Sequence, residues 1–205
     1  MRTPPRRSGR SSWPSRMPRA AALALLLAAR AAQAQAEARG RIVGERAVPA
    51  VVYADDLPDE TAPPQARATM KQLHLHFSPQ VLPVLQGTTV DFANQDETAH
   101  NVFSPSPPAF DLGTFGDGVR SFLFQAPGPH VILCNVHLEM VAWVLVLRNP
   151  SFTSVDEDGR FSLKLPPGHR RLVLWRPRER EITKDIEVLP EGRTEIEWVL
   201  SPRRP

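Results

Sequence analysis

Short apolar runs, each ended by proline or glycine, follow one another along nearly all of the chain after residue 36. The chain contains 22 prolines, and many of them lie between these runs, as in 79–83, 105–108 and 127–129. Because proline disrupts helices and apolar runs of about four to eight residues are typical of strands, this pattern indicates strands joined by turns. The alternation of apolar and polar residues in 88–92 and 120–125 is that of half-buried strands. The sequence therefore predicts an all-β protein built as a β-sandwich.

The predicted strands fall into two groups that meet near Asn149 and Pro150. The predicted strands are 40–53, 70–77, 88–94, 99–104, 119–125, 130–136 and 141–148 in the first group, and 161–165, 171–175, 180–189 and 194–200 in the second. We therefore predict one domain at 37–148 and a small C-terminal β module at 149–205. Because about 55 residues is marginal for independent folding, the module should pack on the first domain or complete a second sheet with 40–53.

Residues 1–36 have the composition of a signal peptide. Six arginines and no acidic residue lie in 1–19, an apolar run follows at 20–29, and the small residues after it allow cleavage after Ala34 or Ala36. The apolar run has about ten residues against the ~20 that span a bilayer, so we predict no membrane span after signal removal. Met17 is as acceptable a start as Met1, since the segment that follows Met17 is already a complete signal. The expected location is the periplasm or the outside of the cell.

Charge argues against nucleic acid as a partner. Residues 1–36 contain seven of the 25 basic residues and none of the 22 acidic residues, so the rest of the chain carries a net charge of −4. In that remainder no cluster of basic residues is interleaved with aromatic residues, which is the usual signature of nucleic-acid binding. The single cysteine, Cys134, excludes an internal disulfide, and in an oxidising compartment a buried or metal-bound thiol is favoured.

Cys134 begins a short segment that carries three potential metal ligands. His137 and Met140 follow it in a C-x2-H-x2-M pattern, and His100 lies at the start of a predicted neighbouring strand. A cysteine alone on an apolar strand is usually inert packing. A thiolate, two imidazoles and a thioether together are the ligand set of a blue-copper site, in which the methionine is the weak axial ligand. Zinc rarely takes methionine and iron–sulfur clusters normally need four cysteines, so the sequence predicts one type 1 copper ion.

The sequence around these ligands resembles the cupredoxin family, in its plastocyanin and amicyanin branch. The matching segments are 77–79, 87–92, Asn94 six positions before His100, 100–102 and 127–130, together with Cys134, His137 and Met140. The resemblance implies a Greek-key cupredoxin β-sandwich. It also implies that Asn101 directs its backbone N–H at the Cys134 sulfur and that its side chain ties the ligand loops together. Two positions depart from the family pattern: Val136 stands where proline is usual, and Glu139 where the relatives are apolar.

A wider resemblance takes in the rest of the chain. With 110–113 and 166–175 included, the sequence is similar to exported plastocyanin-like proteins of methylamine utilisation. In that comparison 149–205 resembles a carboxypeptidase-regulatory or transthyretin-like β module.

These observations predict an exported type 1 copper protein that carries single electrons between periplasmic redox partners. No nucleophile–base pair is evident in the sequence, so we expect no enzymatic activity, and electrons should pass through the loop ligand His137. The resemblance implies a c-type cytochrome or a periplasmic dehydrogenase as a transient partner. Two alternatives stay open: a periplasmic copper-binding or delivery protein, and a non-catalytic β binding module whose copper site is degenerate.

Overall fold

The described part of the chain consists of strands joined by turns. The computed structural model describes residues 36–44, 48–63 and 65–200, so the predicted signal peptide lies outside the described residues except for Ala36. The strands are β1 (Ala36–Val43), β2 (Val51–Ala54), β3 (Arg67–Leu73), β4 (His76–Ser78), β5 (Val81–Leu85), β6 (Thr88–Asn94), β7 (His100–Ser104), β8 (Phe110–Phe115), β9 (Gly118–Phe124), β10 (Gly128–Leu133), β11 (Val141–Leu147), β12 (Phe152–Ser154), β13 (Arg160–Leu165), β14 (Gly168–Trp175), β15 (Ile182–Val188) and β16 (Arg193–Val199). Among the described residues, none forms a helix long and apolar enough to cross a membrane.

Two sheets built from the middle of the chain face each other. Sheet 1 has the strand order β4-β3-β6-β9, and sheet 2 has the order β5-β11-β10-β7-β8. The residues of β6 alternate between buried and partly exposed, as the sequence pattern predicted, so that Val90 and Phe92 face the space between the sheets. There they meet Ile132 and Val144 of sheet 2 in one hydrophobic core. The prediction of an all-β sandwich is confirmed.

A second pair of sheets combines the two ends of the described chain. Sheet 3 has the order β12-β2-β14-β15, and sheet 4 has the order β13-β1-β16. Strand β1 runs parallel to β16 and antiparallel to β13, and β2 runs antiparallel to β12 and β14. Strands β1 and β2 therefore share their sheets and core with the strands of residues 152–200. The boundaries 37–148 and 149–205 stay a prediction, while the strand pairing places β1 and β2 with the C-terminal strands.

Strand β11 is buried on both of its faces. Ala142, Val144 and Val146 point into the core between sheets 1 and 2. Leu145 and Leu147 point the opposite way and pack against residues of sheet 3 in a separate cluster. Because successive side chains of a strand alternate in direction, a strand enclosed by two layers must be apolar throughout, as this one is. The strand that follows the predicted ligand Met140 is therefore held from both sides.

Several predicted strand boundaries are wrong for identifiable reasons. The predicted strand 70–77 is two strands joined by a tight turn at His74 and Leu75, which have φ angles of 54° and 61°. His74 therefore lies in the turn and His76 on β4, and both side chains are exposed. The predicted strand 40–53 is likewise divided between β1 and β2.

Three strands were not predicted at all: β5, β8 and β12. Strand β5 contains Pro83, which argued against a strand in the sequence. It lies at the edge of sheet 2, where a proline is tolerated because its missing N–H need not pair. Strand β8 is the opposite edge of the same sheet, and it pairs with β7 through an irregular register.

Candidate metal centre

The predicted ligands come from two strand ends and one loop. His100 is the first residue of β7, and Cys134 directly follows the last residue of β10. Strands β10 and β7 are neighbours in sheet 2, paired at Leu133 and Phe103. His137 lies in the short connection from β10 to β11. Two adjacent strands and one tight loop thus bring residues 34 or more positions apart to the same end of the sandwich.

Three of the predicted ligands form one cluster. The ligating atoms of His100, Cys134 and His137 all lie within 4.8 Å of one another. The Nδ1 atoms of the two imidazoles are 3.0 Å apart, and the rings meet edge to face with centroids 4.9 Å apart. At ordinary metal–imidazole distances of about 2 Å, both nitrogens can bind one ion.

The loop from Cys134 to Met140 is organised by two hydrogen bonds of equal spacing. The backbone N–H of His137 donates to the Cys134 sulfur at 3.4 Å, and the backbone N–H of Met140 donates to the His137 carbonyl at 3.0 Å. Each bond joins residues three positions apart and closes a four-residue turn, so the C-x2-H-x2-M spacing matches these turns. The loop residues Val136 and Leu138 point outward, with exposed fractions of 47% and 80%.

Three of the four predicted ligands are buried, and one lies nearer the surface. Exposed fractions are 0% for His100, 2% for Cys134 and 1% for Met140, whereas His137 is only partly buried. Met140 belongs to the same hydrophobic core as Cys134. It ends the closed loop, and its role as the fourth ligand stays a prediction.

Asp96 is a part of the site that sequence reasoning missed. Its Oδ2 atom lies 2.8 Å from Nε2 of His100, the ring nitrogen that faces away from the cluster. The carboxylate also accepts the backbone N–H groups of His74 and Leu75, at 2.6 and 3.0 Å. Burial opposes its ionisation, but the Leu75 N–H, the His100 ring and the His74 N–H together hold the pKa of Asp96 below its usual value. The only sequence signal was an aspartate four residues before a predicted ligand.

Asn94 fixes the loop that carries Asp96. Its side-chain amide donates to the carbonyl oxygens of Thr98 and Phe115, both at 2.9 Å. Its Oδ1 atom accepts the backbone N–H of Asp96, also at 2.9 Å. Because Asn94 is buried and these three bonds span the loop before His100, the asparagine that matched the family pattern has a clear structural role.

Asn101 does not play the role that the resemblance implied. Its side-chain amide donates to Oδ1 of Asp111 at 2.7 Å, so it ties β7 to β8 and does not join the ligand loops. In the described part of the chain, the hydrogen bond accepted by the Cys134 sulfur comes from His137. The backbone N–H of Gly113, and then Asn101, lower the pKa of Asp111. The expectation for the side chain fails because this edge strand places a carboxylate within reach of the asparagine amide.

The donor chemistry fits a soft or borderline metal ion. A thiolate and two imidazole nitrogens suit copper or zinc, and a buried thioether beside them suits copper. Cysteine binds metals as the thiolate, and a bound cation is what stabilises that charge in a buried position. The described residues therefore contain a His100, Cys134 and His137 group that can bind a metal ion.

Comparison with known proteins adds the following findings. No protein-family model matches the chain, and no curated protein matches it. Among solved structures, a purple cupredoxin from Nitrosopumilus maritimus is 22% identical, with 39% of this chain and 99% of that chain covered and a TM-score of 0.36. A Cu(I) variant of amicyanin is 17% identical, with 47% of this chain and 98% of that chain covered and a TM-score of 0.38.

A copper-containing nitrite reductase from Thermus scotoductus SA-01 is also similar, at 22% identity and a TM-score of 0.39. The match covers 54% of this chain but only 28% of the reductase, so the chain spans little more than a quarter of that enzyme's length. The two facing sheets form a β-sandwich that carries a candidate metal centre at one end.

Proposed function

We propose that this protein is an exported type 1 copper protein that carries single electrons between redox partners. The observation that supports it most is the close group of His100, Cys134 and His137, whose ligating atoms lie within 4.8 Å of one another. Together with Met140 these residues would hold one copper ion, which supplies the exchange of one electron between Cu(II) and Cu(I). The thiolate and thioether favour Cu(I) and the imidazoles favour Cu(II), so the donor set suits both states.

The protein would hold the metal-binding atoms in fixed positions and shield them from water. His100 and Cys134 are held at the ends of paired strands, and the loop between Cys134 and His137 is closed by a hydrogen bond. The inner ligands are almost fully shielded from water. Donors that move little when the metal's charge changes keep the reorganisation barrier to electron transfer low. This rigidity favours a carrier with no substrate turnover of its own.

His137 is the proposed port for electrons. It is the least buried of the proposed ligands, and Val136 and Leu138 beside it expose apolar surface. A small apolar surface around a partly exposed ligand suits the brief, low-area contacts of redox partners. Glu139 is exposed in the same loop, and residues 37–148 contain twelve acidic against seven basic residues. A partner with a basic docking surface, such as a c-type cytochrome, fits this charge, with a periplasmic dehydrogenase as the donor.

A redox-cycling experiment tests this function against copper delivery. Copper-loaded protein should be reduced by ascorbate and reoxidised by ferricyanide over repeated cycles, with its copper content unchanged after gel filtration. Loss of copper to a Cu(I) chelator during the first cycles would instead support the delivery alternative. Failure to bind copper at all would leave the alternative of a β module with a degenerate site.

A further inference from the structure

The Asp96 carboxylate joins the buried metal-site histidine to a turn at the protein surface. Its Oδ2 atom contacts both Nε2 of His100, at 2.8 Å, and the backbone N–H of Leu75, at 3.0 Å. Its Oδ1 atom accepts the backbone N–H of His74 at 2.6 Å. Asp96 is itself held by the hydrogen bond from its backbone N–H to Asn94. Both oxygens of the carboxylate are therefore held by hydrogen bonds from the protein itself.

This arrangement determines which nitrogen of His100 carries the proton. An ionised carboxylate can only accept, so the Nε2 atom must donate and hold the proton. In the neutral ring, Nδ1 then presents its lone pair towards His137 and Cys134. We propose that Asp96 is a positioning residue of the metal centre, which holds His100 as the Nε2–H tautomer with Nδ1 directed at the metal position.

The negative charge has a second consequence, which rests on the proposed copper function. A carboxylate that accepts a hydrogen bond from a ligand imidazole makes that imidazole a stronger donor, and removal of such a partner typically costs about 10–100-fold in metal affinity. The loss should be greater for Cu(II) than for Cu(I), because the more highly charged ion gains more from a basic donor. Each tenfold difference between the two losses raises the reduction potential by about 59 mV.

Asp96 also supports the backbone of the surface turn. His74 and Leu75 have φ angles of 54° and 61°, a left-handed region that costs energy for residues other than glycine and asparagine. Replacement of Asp96 could therefore act on the centre indirectly, by loosening the turn. The double substitution His74→Asn and Leu75→Gly places residues that adopt this turn readily and so makes the turn independent of Asp96.

The first test uses the metal-free protein and nitrogen-15 spectra of the histidine rings. In the wild type, at a pH where the imidazoles are neutral, His100 should be the Nε2–H tautomer with a ring proton protected from solvent exchange. Asp96→Ala should mix the tautomers and expose that proton, whereas Asp96→Asn should keep the tautomer because its amide oxygen still accepts. A wild-type His100 protonated at Nδ1 would overturn the proposal, and this measurement does not depend on copper.

The second test compares reduction potentials of copper-loaded variants. Asp96→Asn should raise the potential by tens of millivolts, as about a tenfold difference in affinity loss would give. Asp91→Asn is the matched control, since it removes the same charge from a partly buried aspartate of β6 that forms an ion pair with Arg67 of β3. The shift should persist in the His74→Asn and Leu75→Gly background. A shift no larger than that of the control, or one that disappears in this background, would contradict the proposal. A wild type that takes up no copper would refute the proposed function alone.

Discussion

The Nδ1 atoms of His100 and His137 lie 3.0 Å apart, although the two residues are separated by 37 positions in the chain. One is fully buried at the start of β7, and the other is partly exposed in the loop after β10. The pair therefore connects the inside of the site to its surface. If both nitrogens bind one ion, the imidazole of His137 alone separates the buried centre from the protein surface.

Met140→Leu should keep the metal but raise the reduction potential. The soft thioether is an acceptable ligand for Cu(I), but Cu(I) is stable with three donors, whereas the more highly charged Cu(II) gains more from a fourth. Loss of Met140 should therefore destabilise Cu(II) more than Cu(I). Protein-film voltammetry measures the potential directly. Met70→Leu is the matched control, since Met70 is fully buried in the same core but lies on β3, away from the ligand loop. A lowered potential in Met140→Leu, or a change equal to that of the control, would show that the axial assignment is wrong.

His137→Gly should slow electron exchange far more than His74→Ala. The first change removes the proposed port. The second removes an exposed ring, while the backbone N–H by which His74 contacts Asp96 is kept. Stopped-flow reduction by a c-type cytochrome, on samples of equal copper content, gives the two rates. Equal rates would place the port elsewhere on the surface.

Leu145→Ala should destabilise the protein by about 2–5 kcal/mol, the usual cost of removing a fully buried leucine side chain. Leu145 lies on the face of β11 that packs against sheet 3, so its loss opens a cavity between the two pairs of sheets. Urea unfolding measures the change. Leu138→Ala, at a leucine that is 80% exposed, should change stability by less than about 0.5 kcal/mol. A small effect of Leu145→Ala would mean that the two pairs of sheets depend little on each other.

The ion pair between Arg67 and Asp91 should contribute to stability at neutral pH and lose that contribution in acid. The hydrogen bond from Arg67 lowers the pKa of Asp91. Burial opposes this effect, and the hydrogen bond from Ser121 adds to it. Because the pKa of Asp91 is lower in the folded than in the unfolded chain, the ion pair stabilises the fold at pH values above the unfolded pKa of about 4. This stabilisation is lost as the pH falls through the folded-state pKa. Urea unfolding at several pH values should show a shallower acid decline in Asp91→Asn. An unchanged slope would contradict this assignment.

The proposed ligands could be recognised in the sequence because three of them are local. Cys134, His137 and Met140 lie on one short loop, and their spacing equals the spacing of its two hydrogen-bonded turns. The alternation of residues in β6 was equally local and predicted the buried face correctly.

The remaining features depend on contacts between distant segments. The Asp96 contact to His100 is supported by Asn94, which binds the intervening loop, and by the turn at His74 and Leu75, which supplies two N–H groups. The pairing of β1 with β13 and β16 joins residues more than a hundred positions apart, so a sheet shared between 40–53 and the C-terminal strands could be predicted only as one of two alternatives, without its strand order. Asn101 was misassigned because Asp111 reaches it from an edge strand that was not predicted.

The most direct measurement is the visible absorption spectrum of the purified protein after addition of one equivalent of Cu(II). The proposed site predicts an intense band from charge transfer between the Cys134 thiolate and copper, with one copper bound per chain. Cys134→Ser should abolish the band while leaving the fold, measured by circular dichroism, unchanged. A colourless wild type, or a band that survives in Cys134→Ser, would contradict the assignment of this protein as a type 1 copper carrier.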